Sequence, residues 1–77
     1  MSEEKKKDYY LRLGLNIAHQ RKLKKMTQAE LADKADISRT HLSNIEAMNG
    51  NTSVSLDAIF SISEALGIDP SILFKME

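Results

Sequence analysis

The chain has 77 residues, eleven Lys/Arg against eleven Asp/Glu, no cysteine, one proline and three glycines. That describes one small domain (residues 1–77), near the lower limit for folding without staples. It excludes a disulfide framework and a thiolate metal site, and no run approaches the roughly 20 apolar residues of a membrane span. The charged start Met1-Ser-Glu-Glu-Lys-Lys-Lys-Asp8 has no apolar core behind it, so no secretory signal is read and a soluble, cytoplasmic chain is expected. Neutrality hides polarity. Residues 1–25 hold eight basic against three acidic side chains, or +5, and residues 26–77 hold three against eight, or −5. A basic stripe can steer a molecule towards phosphates, while Lys5 to Lys7, Lys22, Lys24 and Lys25 read equally well as solvated helix residues.

In chain order, residues 1–8 read as a flexible charged arm. Tyr10, Leu13, Ile17, Gln20 and Arg21 then recur at steps of three and four, which predicts an amphipathic helix over about 8–25. Thr27-Gln-Ala-Glu30 has the spacing of a capping box and opens a short second helix to Ala35, with Leu31, Ala32 and Ala35 inward. Asp36-Ile37 makes a tight turn, and Ser38 is an N-cap for a third helix to about Ala47, with Leu42 and Ile45 inward. Met48 to Val54 is loop chemistry, rich in Asn, Gly and Ser. Ser55 caps a fourth helix, Leu56 to Leu66, whose expected buried side carries Leu56, Ile59, Phe60, Ile62, Ser63 and Leu66. Gly67 sits where a left-handed residue belongs, and Asp69-Pro70 launches a short fifth helix to Phe74. The expected fold class is all-α, with five helices and no strand.

The second and third helices are the informative pair. A connection of about three residues cannot let them run antiparallel, so they must cross steeply, and the third becomes a ridge that fits the DNA major groove. On that ridge Arg39, Thr40, Ser43, Asn44 and Ala47 share one face. Arg pairs bidentately with guanine, Asn pairs with adenine, and Thr and Ser offer small adaptable partners. These are also ordinary surface residues. A merely exposed helix, however, favours Glu, Lys, Ala and Gln over Ser, Thr and Asn.

The run Met26-Thr-Gln-Ala-Glu-Leu-Ala-Asp-Lys-Ala-Asp-Ile-Ser-Arg-Thr-His-Leu-Ser-Asn-Ile-Glu46 resembles the Xre/Cro/phage-repressor helix-turn-helix family. Ser55-Leu56 through Ala65-Leu66-Gly67-Ile68 resembles that family's fourth helix. The likeness covers about residues 11–74, and in size and layout the chain is similar to restriction–modification controller proteins. It implies a lambda-repressor-like DNA-binding domain and a transcriptional regulator. Arg39, Thr40, Ser43 and Asn44 would contact bases. Thr27, Gln28, Ser38 and His41 would contact phosphates, with Gln28 also bracing the recognition helix; for His41 partial packing is an equal alternative. Arg21 and Glu46 match a family pair that forms a largely buried salt bridge. Three departures are evident: Asp36 stands where the turn usually has glycine, Gln20 replaces a common aliphatic, and the loop after Glu46 is about two residues longer and lacks an Arg-Gly pair. Asn49 or Asn51 would then supply the loop's phosphate contact.

An enzyme is not expected. The two histidines, His19 and His41, fall on separate helices, and no cysteine nucleophile, metal cluster or glycine-rich phosphate loop is present; no cofactor or metal is called for. The expected partners are double-stranded DNA and a second copy of the chain on an inverted repeat, because one domain reads about half a site. Ile68, Pro70, Ile72, Leu73, Phe74 and Met76 are more apolar residues than one short helix buries. The first five are the expected dimer interface, the alternative being that they close the monomer's core. Two other readings stay open: an antitoxin that binds its operator and a toxin, and an interaction module without DNA affinity. A toxin or RNA polymerase is thus a further candidate partner.

Overall fold

The computed structural model describes residues 1–47 and 53–76, and these contain helices and no strand. Four α-helices, α1 (Glu3–Leu23), α2 (Gln28–Ala35), α3 (Arg39–Glu46) and α4 (Leu56–Leu66), are followed by a 3₁₀ helix, Pro70–Phe74. The expected fifth α-helix is therefore this 3₁₀ turn. Pro70 fixes its start, Asp69 caps it by accepting from Ser71 N, and Ile72 N donates three residues back to Asp69 O. The i to i−3 bond is that of a short 3₁₀ turn.

The first helix starts about five residues earlier than its apolar spacing indicates, so residues 3–8 are helical rather than an arm. Ser2 Oγ accepts from Lys5 N at 3.1 Å. Glu3 and Glu4 lie in the first turn and Arg21 and Lys22 in the last, the placement that complements the helix dipole. Capping and charge begin this helix where no burial pattern announces it.

Three helices end alike. Lys25 (φ 58°), Asp36 (φ 56°) and Gly67 (φ 69°) adopt the left-handed conformation. The next residue's amide then reaches back five positions: Met26 N to Arg21 O, Ile37 N to Ala32 O and Ile68 N to Ser63 O, at 3.0–3.1 Å. Met26, Ile37 and Ile68 each pack against the core. This is the Schellman ending with its apolar follower, and it turns the chain sharply three times. Asp36 does the work of glycine in the α2–α3 turn.

The core comprises Leu13 and Ile17 of α1, Leu31, Ala32 and Ala35 of α2, Leu42 and Ile45 of α3, Ile59, Ile62 and Leu66 of α4, and Leu73. Leu73 is fully buried, so it belongs to the monomer's core and not to the expected dimer interface. Its carbonyl and that of Lys75 accept from Asn16 Nδ2 at 3.0 and 2.6 Å, tying the C-terminal segment to α1. Two residues expected on the buried side of α4 face solvent: Leu56 is 61% and Phe60 52% exposed. The buried stripe is Ala58, Ile59, Ile62, Ser63 and Leu66. Phe60 lies about 100° round the helix from Ile59, and Leu56 joins it at i−4. Ser63 satisfies its buried hydroxyl by donating to Ile59 O at 2.8 Å.

Candidate nucleic-acid interface

Both helices of the expected pair are set by their caps. Thr27 Oγ1 accepts from Glu30 N at 3.0 Å and Thr27 N donates to Glu30 Oε1 at 2.9 Å, a complete capping box. Ser38 Oγ accepts from His41 N at 2.9 Å. Between them the left-handed Asp36 and the half-buried Ile37 turn the chain, and α3 packs on α2 and α1 through Leu42 and Ile45. Its other face is left exposed, and there Arg39, Thr40, Ser43 and Asn44, together with the half-buried Gln28 of α2, line one open depression. This is a polar surface with hydrogen-bond donors and acceptors along the exposed face of one helix.

Beneath that surface lies an ion pair. Arg21 Nε donates to Glu46 Oε2 at 2.9 Å, and Arg21 Nη2 donates to Glu46 Oε1 at 2.9 Å. The Arg21 side chain is 12% exposed and that of Glu46 4%. Arg21 Nη1 reaches on to Met26 O at 2.8 Å, and Gln28 Nε2 donates to Glu46 Oε1 at 3.0 Å. Four pieces of chain meet here: the end of α1, the α1–α2 turn, the start of α2 and the end of α3.

The expected phosphate-binding residues divide by placement. Thr27 and Ser38 are exposed, and each uses its oxygen as a cap acceptor, which leaves the hydroxyl proton to donate. Gln28 already gives one N–H to Glu46. His41 is half-buried on the flank of α3. Asn49 and Asn51 lie outside the described residues. One contributor is absent from the sequence reading: Gly14, buried in α1, where an added Cβ would run into the carbonyl oxygen of Ile45 in α3. A lone glycine inside a helical pattern is the available signal for it. The brace expected of Gln28 has Glu46 of α3 as its partner, a pairing that the spacing of the two residues does not specify.

Glu30 titrates below its ordinary value of 4.5, chiefly because its carboxylate accepts from the Thr27 backbone N–H. Asp69 is likewise held below 3.8 by its bond from Ser71 N. Among the described residues no group of His, Cys, Asp or Glu could hold a metal ion.

The family model HTH_3, a helix-turn-helix, matches residues 17–73. The chain belongs to this family. Its helix-turn-helix is α2 and α3, and the match begins at Ile17, so the first two thirds of α1 lie outside the matched region. The chain is similar to the control protein C.BamHI of Bacillus amyloliquefaciens, 48% identical over 48 residues that make up 62% of this chain and 57% of that protein. It is also similar to the immunity repressor protein of Bacillus phage phi105, 38% identical over 65 residues, 84% of this chain and 44% of that one. The chain thus spans about half the length of the curated relatives it matches. The crystal structure of the restriction-modification controller protein C.AhdI from Aeromonas hydrophila superposes with a TM-score of 0.78 at 29% identity, over 84% of this chain and 96% of that one. No helix among the described residues is long and apolar enough to cross a membrane.

Proposed function

We propose that this helix-turn-helix chain is a sequence-specific, double-stranded DNA-binding transcriptional regulator that inserts α3 into the major groove. The observation that carries the reading is the shared exposed face of Arg39, Thr40, Ser43 and Asn44 on a helix held from behind by the Arg21–Glu46 pair. Arg39 and Asn44 have the forks that match guanine and adenine edges. Thr27, Ser38 and His41 flank α3 and donate to phosphates, which fixes register without reading sequence.

A lone domain covers about half a site, so the working form is a homodimer on an inverted repeat, with recognition helices about 34 Å apart. Apolar side chains left in water support a self-association surface: Leu56 and Phe60 on α4, and Phe74 at 42% exposure. Ile68, Pro70 and Ile72, which precede Phe74 in sequence, are partly exposed and join that surface. Co-purification with a toxin or with RNA polymerase would add a protein partner to this reading.

Selection of bound sequences from a random DNA pool tests it. An enriched inverted repeat is expected. Arg39→Ala should then lower affinity by about 1–3 kcal/mol and relax preference at one base pair per half-site. Failure to enrich any sequence, by a folded protein at low salt, would reject the reading.

A further inference from the structure

Glu46 closes the recognition helix at the end where the helix dipole disfavours a carboxylate, and its side chain is 4% exposed. Bonds from Nε and Nη2 of Arg21 already satisfy an ion pair between α1 and α3. A further bond comes from Gln28 Nε2 at 3.0 Å, and Gln28 is the one member of the network that also lines the depression with Arg39, Thr40, Ser43 and Asn44.

A carboxamide has two unlike ends, and a carboxylate can only accept. The nitrogen end of Gln28 must therefore face Glu46, since the flipped amide would set oxygen against oxygen. We propose that Glu46 is a positioning residue for DNA recognition: through Gln28 Nε2 it fixes which end of the Gln28 carboxamide the DNA meets. The carbonyl oxygen, turned away from Glu46, is the end offered to the reading surface, with one N–H left over. A carbonyl oxygen does not bind a phosphate. It accepts from a donor, either the Arg39 guanidinium or an exocyclic amino group of a base, and phosphate gripping is left to the remaining N–H. The inference rests on the DNA-binding reading of α2 and α3.

The test uses the full chain and the site enriched from the random pool. Affinities of the wild type, Glu46→Gln, Gln28→Met and the double variant are measured at one salt concentration, each shown folded by circular dichroism. Each single change should weaken binding about tenfold, and the double variant should be no weaker than either single. In Glu46→Gln the preference at the base pair nearest Gln28 should flatten as well, which a purely structural loss would not produce. If Glu46→Gln binds every substituted site as the wild type does, or the two losses multiply, Glu46 is a brace and nothing more. Nuclear magnetic resonance of the free wild-type protein gives a second readout that needs neither DNA nor a folded variant. One Gln28 side-chain amide proton should be shifted and protected from exchange, and two averaged, unprotected protons would overturn the proposal. Absence of any enriched sequence would instead reject the DNA-binding reading while leaving this amide measurement standing.

Discussion

Replacing Gly14 by alanine tests how closely α1 lies on the recognition helix. A methyl group there would overlap the carbonyl oxygen of Ile45 and lie 3.3 Å from its carbonyl carbon and 3.6 Å from Glu46 Cα. All three are backbone atoms, so no rotamer change relieves the contact and the two helices must part. A solvent-exposed helical glycine would gain roughly 1 kcal/mol on becoming alanine. Overpacking of a tight interior site costs about 1–3 kcal/mol. With backbone as the obstacle the second effect wins, and Gly14→Ala should be destabilised by about 1–2 kcal/mol, which lowers Tm by roughly 5–15 °C in a domain of this size. The assay is urea denaturation followed by circular dichroism, in which the midpoint should fall at constant slope. Because the displaced residues are Ile45 and Glu46, affinity for the selected site should fall too, at temperatures where the variant is folded. A variant at least as stable as the wild type would show that α1 and α3 do not approach in this way.

Three other outcomes follow from named contacts. Arg21→Met should cost about 3–5 kcal/mol and Glu46→Met less, because the stranded Glu46 carboxylate is the more buried partner and sits at a helix C-terminus. Equal losses in chemical denaturation would contradict that. Asp36→Gly should stabilise by about 0.5–1 kcal/mol, since φ is 56° there and glycine carries no Cβ penalty; a thermal melt showing no gain would mean the aspartate is not strained. The lowered Glu30 carboxyl contributes stability that is fully present above its ordinary value of 4.5 and is lost as pH falls through its lower folded value. Glu30→Gln should therefore be less stable than the wild type near neutral pH and converge on it in acid. A constant difference down to the acid limit would remove the capping carboxylate as the cause.

What could be read from the sequence was local. Thr27, Ser38, Ser55, Gly67 and Asp69-Pro70 are short-range signals whose chemistry acts within four residues, and the corresponding element ends lie where they point. Resemblance supplied what spacing does not: Arg21 and Glu46 are 25 residues apart, and no periodicity joins them. Apolarity alone does not say what covers a side chain. Leu56 and Phe60 are apolar and exposed, whereas Leu73, expected at an interface, lies in the core. Which side of a helix is covered depends on its neighbours' packing, and a pattern with seven apolar residues in eleven on α4 is nearly all-round. The start of α1 is illegible for a different reason: Ser2 and the charges of Glu3 and Glu4 build a polar helix end, and these leave no mark in the apolar spacing.

The polar network under α3 is not what a stability argument alone would place there. Buried ion pairs exchanged for well-packed apolar groups are often neutral or stabilising, and Ile17, Leu31, Leu42 and Ile45 already glue α1, α2 and α3 together. Apolar contacts are non-directional, however, and permit small sliding and rotation. Hydrogen bonds from both Nε and Nη2 of Arg21 hold the Glu46 carboxylate in one plane, and Gln28 is bonded to that plane in turn. Arg21 Nη1 fixes the α1–α2 turn at Met26 O from the same guanidinium. Reading a base edge requires side chains placed within about half an ångström, a tolerance that angular restraints meet and oily contacts do not. Arg21→Met with Glu46→Met together should therefore recover much of the stability lost by either alone and still discriminate poorly among singly substituted operators. A double variant as selective as the wild type would show that packing by Leu42 and Ile45 suffices to aim the helix.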